Sequence, residues 1–174
     1  LPYISNAQFL LYDKIGNVLK YKDVEENLVV DITYHVPFNN AYVLSIPMTH
    51  KVSKNNTTLR STKTSLDLSN NIESIVREKL NGNGDHSEMK FIYNELGLLT
   101  KVIHPKPDVD SSESERMFYE YKYDEKYDVF VATVADANQY ASYTSYTNFG
   151  LVSTSTDINN NTFIYTYDAS RRMK

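Results

Sequence analysis

One short pattern recurs along this chain and limits what it can become. Tyr12-Asp13 is followed by Gly16-Asn17 and the apolar pair Val18-Leu19, and Tyr93-Asn94 by Gly97, Leu98 and Leu99. The pattern closes the sequence as Tyr165-Thr166-Tyr167-Asp168, after the polar run Asp157 to Thr162. A unit of tyrosine-aspartate, two residues, a small residue and an apolar pair, met again and again, is the signature of a repeat architecture. Repeats build surfaces and frameworks more readily than reactive pockets.

Between these marks hydrophobicity alternates with period two. Val30, Ile32, Tyr34 and Val36 share one face, and Asp31, Thr33 and His35 the other. Met117, Tyr119, Tyr121 and Tyr123 oppose Arg116, Glu120, Lys122 and Asp124. Phe163, Tyr165 and Tyr167 oppose Thr162, Thr166 and Asp168. Such alternation marks half-buried strands. Weaker versions cover 8–12, 17–22, 42–53, 57–66, 86–93, 98–104, 128–135, 140–147 and 151–156. With turns between them at short intervals, the chain reads as all-β, an antiparallel strand-turn-strand meander forming a curved sheet.

Asparagine takes the turn role that the five glycines are too few to fill. It tolerates the left-handed region and bonds to nearby backbone. Asn55-Asn56, Asn70-Asn71 and Asn159-Asn160-Asn161 read as turns, and Asn81-Gly82-Asn83-Gly84-Asp85 as a hairpin. Residues 71–80 also fit a helical stripe through Ile72, Ile75, Val76, Lys79 and Leu80, but the preceding Leu66-Asp67 has the form of a worn tyrosine-aspartate unit and favours a strand. Pro47 demotes its run to an edge or bent strand. Val129 to Val134, apolar on both faces, reads as a covered central strand. Strands 57–66 and 151–156 are polar on both faces and specify register weakly.

A length of 174 residues suits a single domain over 1–174. A boundary could fall at 105–115, where two prolines and four acidic residues predict a mobile, solvated loop, but the strand-and-turn pattern on both sides favours a long loop within one sheet. The chain starts at Leu1 and stops inside a repeat unit at Lys174, as expected of a fragment of something longer.

Composition narrows the function. Eighteen basic and 22 acidic residues give a net charge of -4 without a basic stripe, which argues against nucleic-acid binding. There is no cysteine, so no disulfide or thiolate site. No apolar run approaches the about 20 residues that span a bilayer.

Candidate chemistry is sparse. Asp157, Asn159, Asn161 and Asp168 fall at calcium-loop spacing, but Thr162 replaces the required glycine and 163–167 alternate as a strand, so a repeat turn is expected. His35, His50, His86 and His104 lack ligand spacing. No nucleophile elbow frames any serine. Asp108, Asp110, Glu113 and Glu115 read as a solvated charge run. Tyr119, Tyr121, Tyr123, Tyr140, Tyr143 and Tyr146 could stack sugars, but cross-strand packing is the simpler use. The sequons at Asn55, Asn56 and Asn160 follow from asparagine abundance. No catalytic, cofactor-binding or metal-binding residue is therefore assigned, and no enzyme activity is expected.

From Leu28 onward the order of these units resembles the middle region of the toxin-complex B subunit (TcB, SpvB/TcdB type) running into its RHS/YD repeats. The carrying residues are Val30 to Pro37, Tyr42 to Pro47, Tyr93 to Val102, Tyr119 to Asp124, Thr133 to Ala137, Phe149 to Val152 and Asp157 to Arg171. The sequence departs from the pattern at Asn160, at Ser170 and at Leu98 after Gly97. The resemblance implies a wall segment of a hollow bacterial shell that encloses a toxic cargo. Its partners would be the rest of that shell and a TcC-like subunit or C-terminal toxin segment, in a secreted or cell-surface setting. The alternative is a surface adhesin or carbohydrate-binding module built from the same repeats. An isolated fragment could also dimerise through an exposed edge strand.

Overall fold

The structure, a computed structural model, describes residues 7–36, 45–78, 86–108 and 110–174. Among these there are thirteen strands, ordered in an open sheet as they are ordered in the chain. They are β1 (Ala7–Tyr12), β2 (Val18–Asp23), β3 (Leu28–Tyr34), β4 (Pro47–Lys54), β5 (Thr57–Leu66), β6 (Ile72–Glu78) and β7 (His86–Tyr93). They continue as β8 (Leu99–Ile103), β9 (Phe118–Tyr123), β10 (Val131–Asp136), β11 (Ala141–Tyr146), β12 (Val152–Thr156) and β13 (Thr162–Ile164). The all-β antiparallel meander read from the period-two pattern is thus what the chain forms. Residues 72–78 are strand rather than helix. The hairpin expected at 81–85 lies outside the described residues.

The chain forms two compact units, Leu1–Met89 and Lys90–Lys174. The 105–115 loop lies inside the second unit. In the first, β1 to β6 pair in sequence, from Ala7↔Asp23 to Leu66↔Ile72. In the second, Lys90 to Tyr93 of β7 pair with β8, and each later strand pairs with its successor through β13. Among the described residues, contacts between strands join only sequence neighbours, so within each unit the sheet is one layer.

A single layer cannot build a hydrophobic core, and the burial shows it. Among the described residues Val30 is the one buried apolar side chain, at 4% exposure. Stability must then come from the ladder, the turns and cross-strand pairs, each worth roughly 0.2–1 kcal/mol. Thr33 and Thr49 share a hydroxyl hydrogen bond at 2.6 Å, as do Ser65 and Ser74 at 2.7 Å. Lys20 pairs with Asp31 at 3.1 Å, and Lys63 with Glu78. Two of these rungs, Ser65–Ser74 and Lys63–Glu78, supply register to β5, whose two polar faces do not.

The same single layer corrects one sequence reading. The run from Val129 to Val134 is not a covered strand: Val129 is 53% exposed and every residue of β10 is half-buried, because no second layer packs on it. Of the two readings for Pro47, an edge or a bent strand, the bent strand is the one found. Pro47 opens β4, which pairs with β3 on one side and β5 on the other, and a register shift beside Tyr34↔Pro47 absorbs its missing N–H. His86 is the first residue of β7, whose bounds are those of the strand read at 86–93.

The 105–115 stretch is also more ordered than its composition suggests. Arg116 is buried, at 3% exposure. Its Nε donates to the carbonyl of His104 at 2.8 Å and its guanidinium meets Glu113 at 3.1 Å. Lys106 and Lys90 reach the same carboxylate at 3.3 and 3.7 Å. Glu113–Glu115 form a 3-10 turn, entered by a bond from the Ser112 N–H to Glu115 at 2.7 Å. Its acids are solvated as expected, with Asp108, Asp110, Glu113 and Glu115 exposed, and the buried guanidinium beside them gives the loop its order.

Candidate functional site

The feature that organises the molecule is its set of turns. At Asp157 the side-chain Oδ1 accepts the N–H groups of Asn159 and Asn161 at 2.8 and 2.9 Å, while Oδ2 accepts the Asn161 side-chain amide at 2.9 Å. The Asp157 N–H donates to Asn161 O, and the Asn160 N–H to Asp157 O, each at 3.0 Å. Asn160 adopts φ 64°. The same five-residue arrangement begins at Asp13, Asp67, Asn94, Asp136, Thr147 and Asp168. Its fourth residue is always left-handed: Gly16, Asn70, Gly97, Gln139, Gly150, Asn160 and Arg171. A short side chain that accepts two backbone protons directs the reversal, and a residue tolerant of positive φ completes it.

The repeat thus absorbs the calcium-like spacing. Both oxygens of Asp157 are taken by N–H donors, and Asp168 belongs to a different turn. Asn160, a departure from glycine, fits because asparagine accepts the left-handed region. The other departure lies at Arg171, not Ser170: Arg171 holds the left-handed position, with φ 63°.

These bonds tune the carboxylates. At Asp157 the Asn161 side chain and then the Asn161 and Asn159 N–H groups pull the pKa below its ordinary value against desolvation. At Asp168 the N–H and side chain of Arg172 do the same. At Asp13, Asp67 and Asp124 desolvation is the largest single influence and raises the pKa, but the hydrogen bonds together outweigh it and the net shift is downward.

The tyrosine that precedes several of the turns has a separate task. Register shifts fall next to Tyr12, Leu66, Tyr93 and Tyr146, the residue before the turn. Bulges of this kind re-aim a side chain. Tyr123 donates its hydroxyl to Leu99 O at 2.8 Å, Tyr146 to Val131 O at 2.7 Å and Tyr167 to Val152 O at 2.8 Å. Each acceptor is the residue that immediately follows the preceding turn on the same edge. In the second unit these three bonds tie the turns at 94–98, 124–130, 147–151 and 168–172 into one row. Tyr34 makes the equivalent bond to Val18 O at 3.1 Å in the first unit.

The row is reinforced where the turn is longest. Tyr127 donates to Asn148 O and Lys126 to Asn148 Oδ1, both at 2.6 Å. Phe130 stacks on Tyr146 with centroids 5.0 Å apart. Between the 147–151 and 168–172 turns lies an open cleft of about 450 Å3, lined by Phe149, Leu151, Tyr167 and Arg171 among others.

The remaining sequence candidates are dispersed. His50 is within β4, His104 meets Tyr119 edge-on at 5.6 Å, and the His35 N–H bonds to Ile46 O. Among the described residues no three His, Asp or Glu side chains converge as a metal site requires. The six-tyrosine ladder is split: Tyr123 and Tyr146 point their hydroxyls to backbone, while Tyr119, Tyr140 and Tyr143 are 46%, 60% and 51% exposed. Neither the Arg116 anchor nor the tyrosine ties were read from the sequence; the tyrosine-aspartate pairing was the available signal for the ties.

No protein-family model matches the chain, and no curated protein matches it in sequence. Solved structures match its fold. The crystal structure of TcdB2-TccC3-Cdc42 aligns with 94% of the chain at TM-score 0.58 and 13% identity, over 9% of its own length. TcdB2-TccC3-TEV aligns with 96% at TM-score 0.56 and 12% identity, over 11% of its length. TcdB2-TccC3 aligns with 94% at TM-score 0.51 and 11% identity, over 10% of its length. The chain therefore spans about a tenth of each of these toxin-complex chains, and what it shares with that stretch is the fold.

Proposed function

We propose that this chain is a non-catalytic wall segment of a bacterial RHS-repeat toxin-complex shell that encloses a toxic cargo. The observation that carries the reading is the single-layer sheet whose turn edge is held by tyrosine-to-backbone ties rather than by a core. A wall must present both faces, one to a lumen and one to the outside, so its strength has to lie within the layer. The fold shared with the TcdB2-TccC3 chains supports the same reading. The partners would be the rest of its own shell and a TcC-like subunit or C-terminal toxin segment, outside the producing cell.

The test is on the full-length product that contains this segment. Electron microscopy should show a hollow particle, and limited proteolysis should leave an enclosed C-terminal segment intact while cutting it once the particle is denatured. An extended rod, or a C-terminal segment digested at the rate of a free peptide, would overturn the proposal.

The three exposed tyrosines favour a second reading, a carbohydrate-binding or adhesin module, because bare aromatic faces stack on sugars. Saturable glycan-array binding lost on Tyr143→Ala supports that reading instead. As an isolated fragment, the chain would dimerise through β1, whose six residues are all exposed.

A further inference from the structure

The cleft beside the last turn carries an inference that does not depend on the shell reading. Of the seven equivalent turns, six place glycine, asparagine or glutamine at the left-handed position; the seventh places Arg171 there, at φ 63°. An arginine gains nothing from that backbone conformation, which disfavours any residue with a Cβ. What the position does achieve is placement. The Arg171 guanidinium lies over the ring of Phe149, 4.2 Å from its centroid.

The surroundings leave that charge unspent. Asp168, the acid in the cleft, already accepts the N–H groups of Ser170 and Arg172 on Oδ1 and the Arg172 Nε on Oδ2 at 2.7 Å. Tyr167 has given its hydroxyl to Val152 O. Among the described residues Arg171 has no ion pair. Phe149 is 68% exposed and forms the floor of the cleft with Leu151. One turn earlier the matching space is filled from within the chain, where the Tyr127 hydroxyl reaches Asn148 O and its ring meets Phe130 at 5.7 Å.

We propose that the Phe149–Arg171 cleft is a docking site for an acidic polypeptide segment, whose carboxylate takes the guanidinium edge while its aliphatic stem lies on Phe149 and Leu151. A guanidinium held over an aromatic ring keeps its N–H fork available, and that fork matches a carboxylate in two parallel hydrogen bonds. The ring holds the side chain in place, so less freedom is lost when the ligand arrives.

The probe is a hexaglutamate peptide with blocked ends, titrated at low salt into the 174-residue chain. Proton–nitrogen spectra should show saturable shifts at Arg171 Nε–H, and aromatic proton–carbon spectra at the Phe149 ring, and hexaglutamine should produce none. Arg171→Gly should weaken binding about tenfold or more while leaving the fold as stable or more so, since glycine suits that position. Arg60→Gln, which removes a distant cation, should leave binding intact. The proposal fails if Arg171→Gly binds as the parent does, if Arg60→Gln weakens binding equally, or if inorganic phosphate at the same concentration gives the same shifts.

Discussion

Tyr146 donates its hydroxyl proton to the carbonyl of Val131, fifteen residues earlier, at 2.7 Å. The bond runs from the strand end before one turn to the strand start after the previous turn on that edge. Burial, and then the negative charge of Asp124, raise the Tyr146 pKa, so the phenol stays protonated and able to donate. Tyr146→Phe keeps the ring stacked on Phe130 and removes only the bond. We expect a loss of about 0.5–1.5 kcal/mol in urea unfolding. Tyr143→Phe, whose hydroxyl ties no turn, should change stability by less than about 0.5 kcal/mol. Equal effects of the two would show that the ties contribute nothing particular.

Gly16 and Gly150 separate backbone strain from crowding. Both occupy the left-handed position, at φ 94° and 74°. A Cβ on Gly16 would meet open space, whereas one on Gly150 would lie 2.6 Å from Phe130 Cζ. That ring is wedged between Tyr127 and Tyr146 and cannot easily retreat. Gly16→Ala should cost roughly 1 kcal/mol. Gly150→Ala should cost about 1–3 kcal/mol more. A Phe130→Ala background should bring the Gly150→Ala cost down to that of Gly16→Ala, as a double-mutant cycle in thermal unfolding can measure.

The strands were legible in the sequence because their cause is local. Alternation such as Val30, Ile32, Tyr34, and the Asp-Asn turns between them, depend on residues within a few positions of one another. The ties were not, because Tyr123 finds its acceptor 24 residues away at Leu99, and only a bulge turns it that way. Arg116 was hidden for a similar reason. Before it stood a run of acids, prolines and serines, and nothing in that run shows that a carbonyl at His104 will receive its Nε. The shift of the departure from Ser170 to Arg171 is a matter of one residue, decided by which backbone N–H the Asp168 carboxylate captures.

Arg116 itself is testable. Truncation removes the bond to His104 O and leaves Glu113 with only two lysines on an exposed site. Arg116→Ala should cost about 1.5–3 kcal/mol. Amide exchange should quicken first at Glu115 and residue 116, whose N–H groups close the 3-10 turn. Uniform acceleration across β8 and β9 would mean the arginine supports the sheet rather than the loop.

Acid should loosen the turns selectively. Asp13, Asp67, Asp124, Asp157 and Asp168 all have pKa values below ordinary in the folded chain. The unfolded chain therefore takes up protons first as pH falls. The stabilisation from these carboxylates is complete above the ordinary range near pH 4, declines below it, and is gone once pH passes the lowered folded values. Asn94 shows that the turn does not need the charge: its Oδ1 accepts the same two N–H bonds, from Leu96 and Leu98 at 3.0 and 2.9 Å. Asp157→Asn should accordingly hold its turn at neutral pH and make the chain's stability less dependent on pH below 4, as read from urea midpoints at a series of acid pH values. A variant as acid-sensitive as the parent would show that the aspartate turns are not where the protons act.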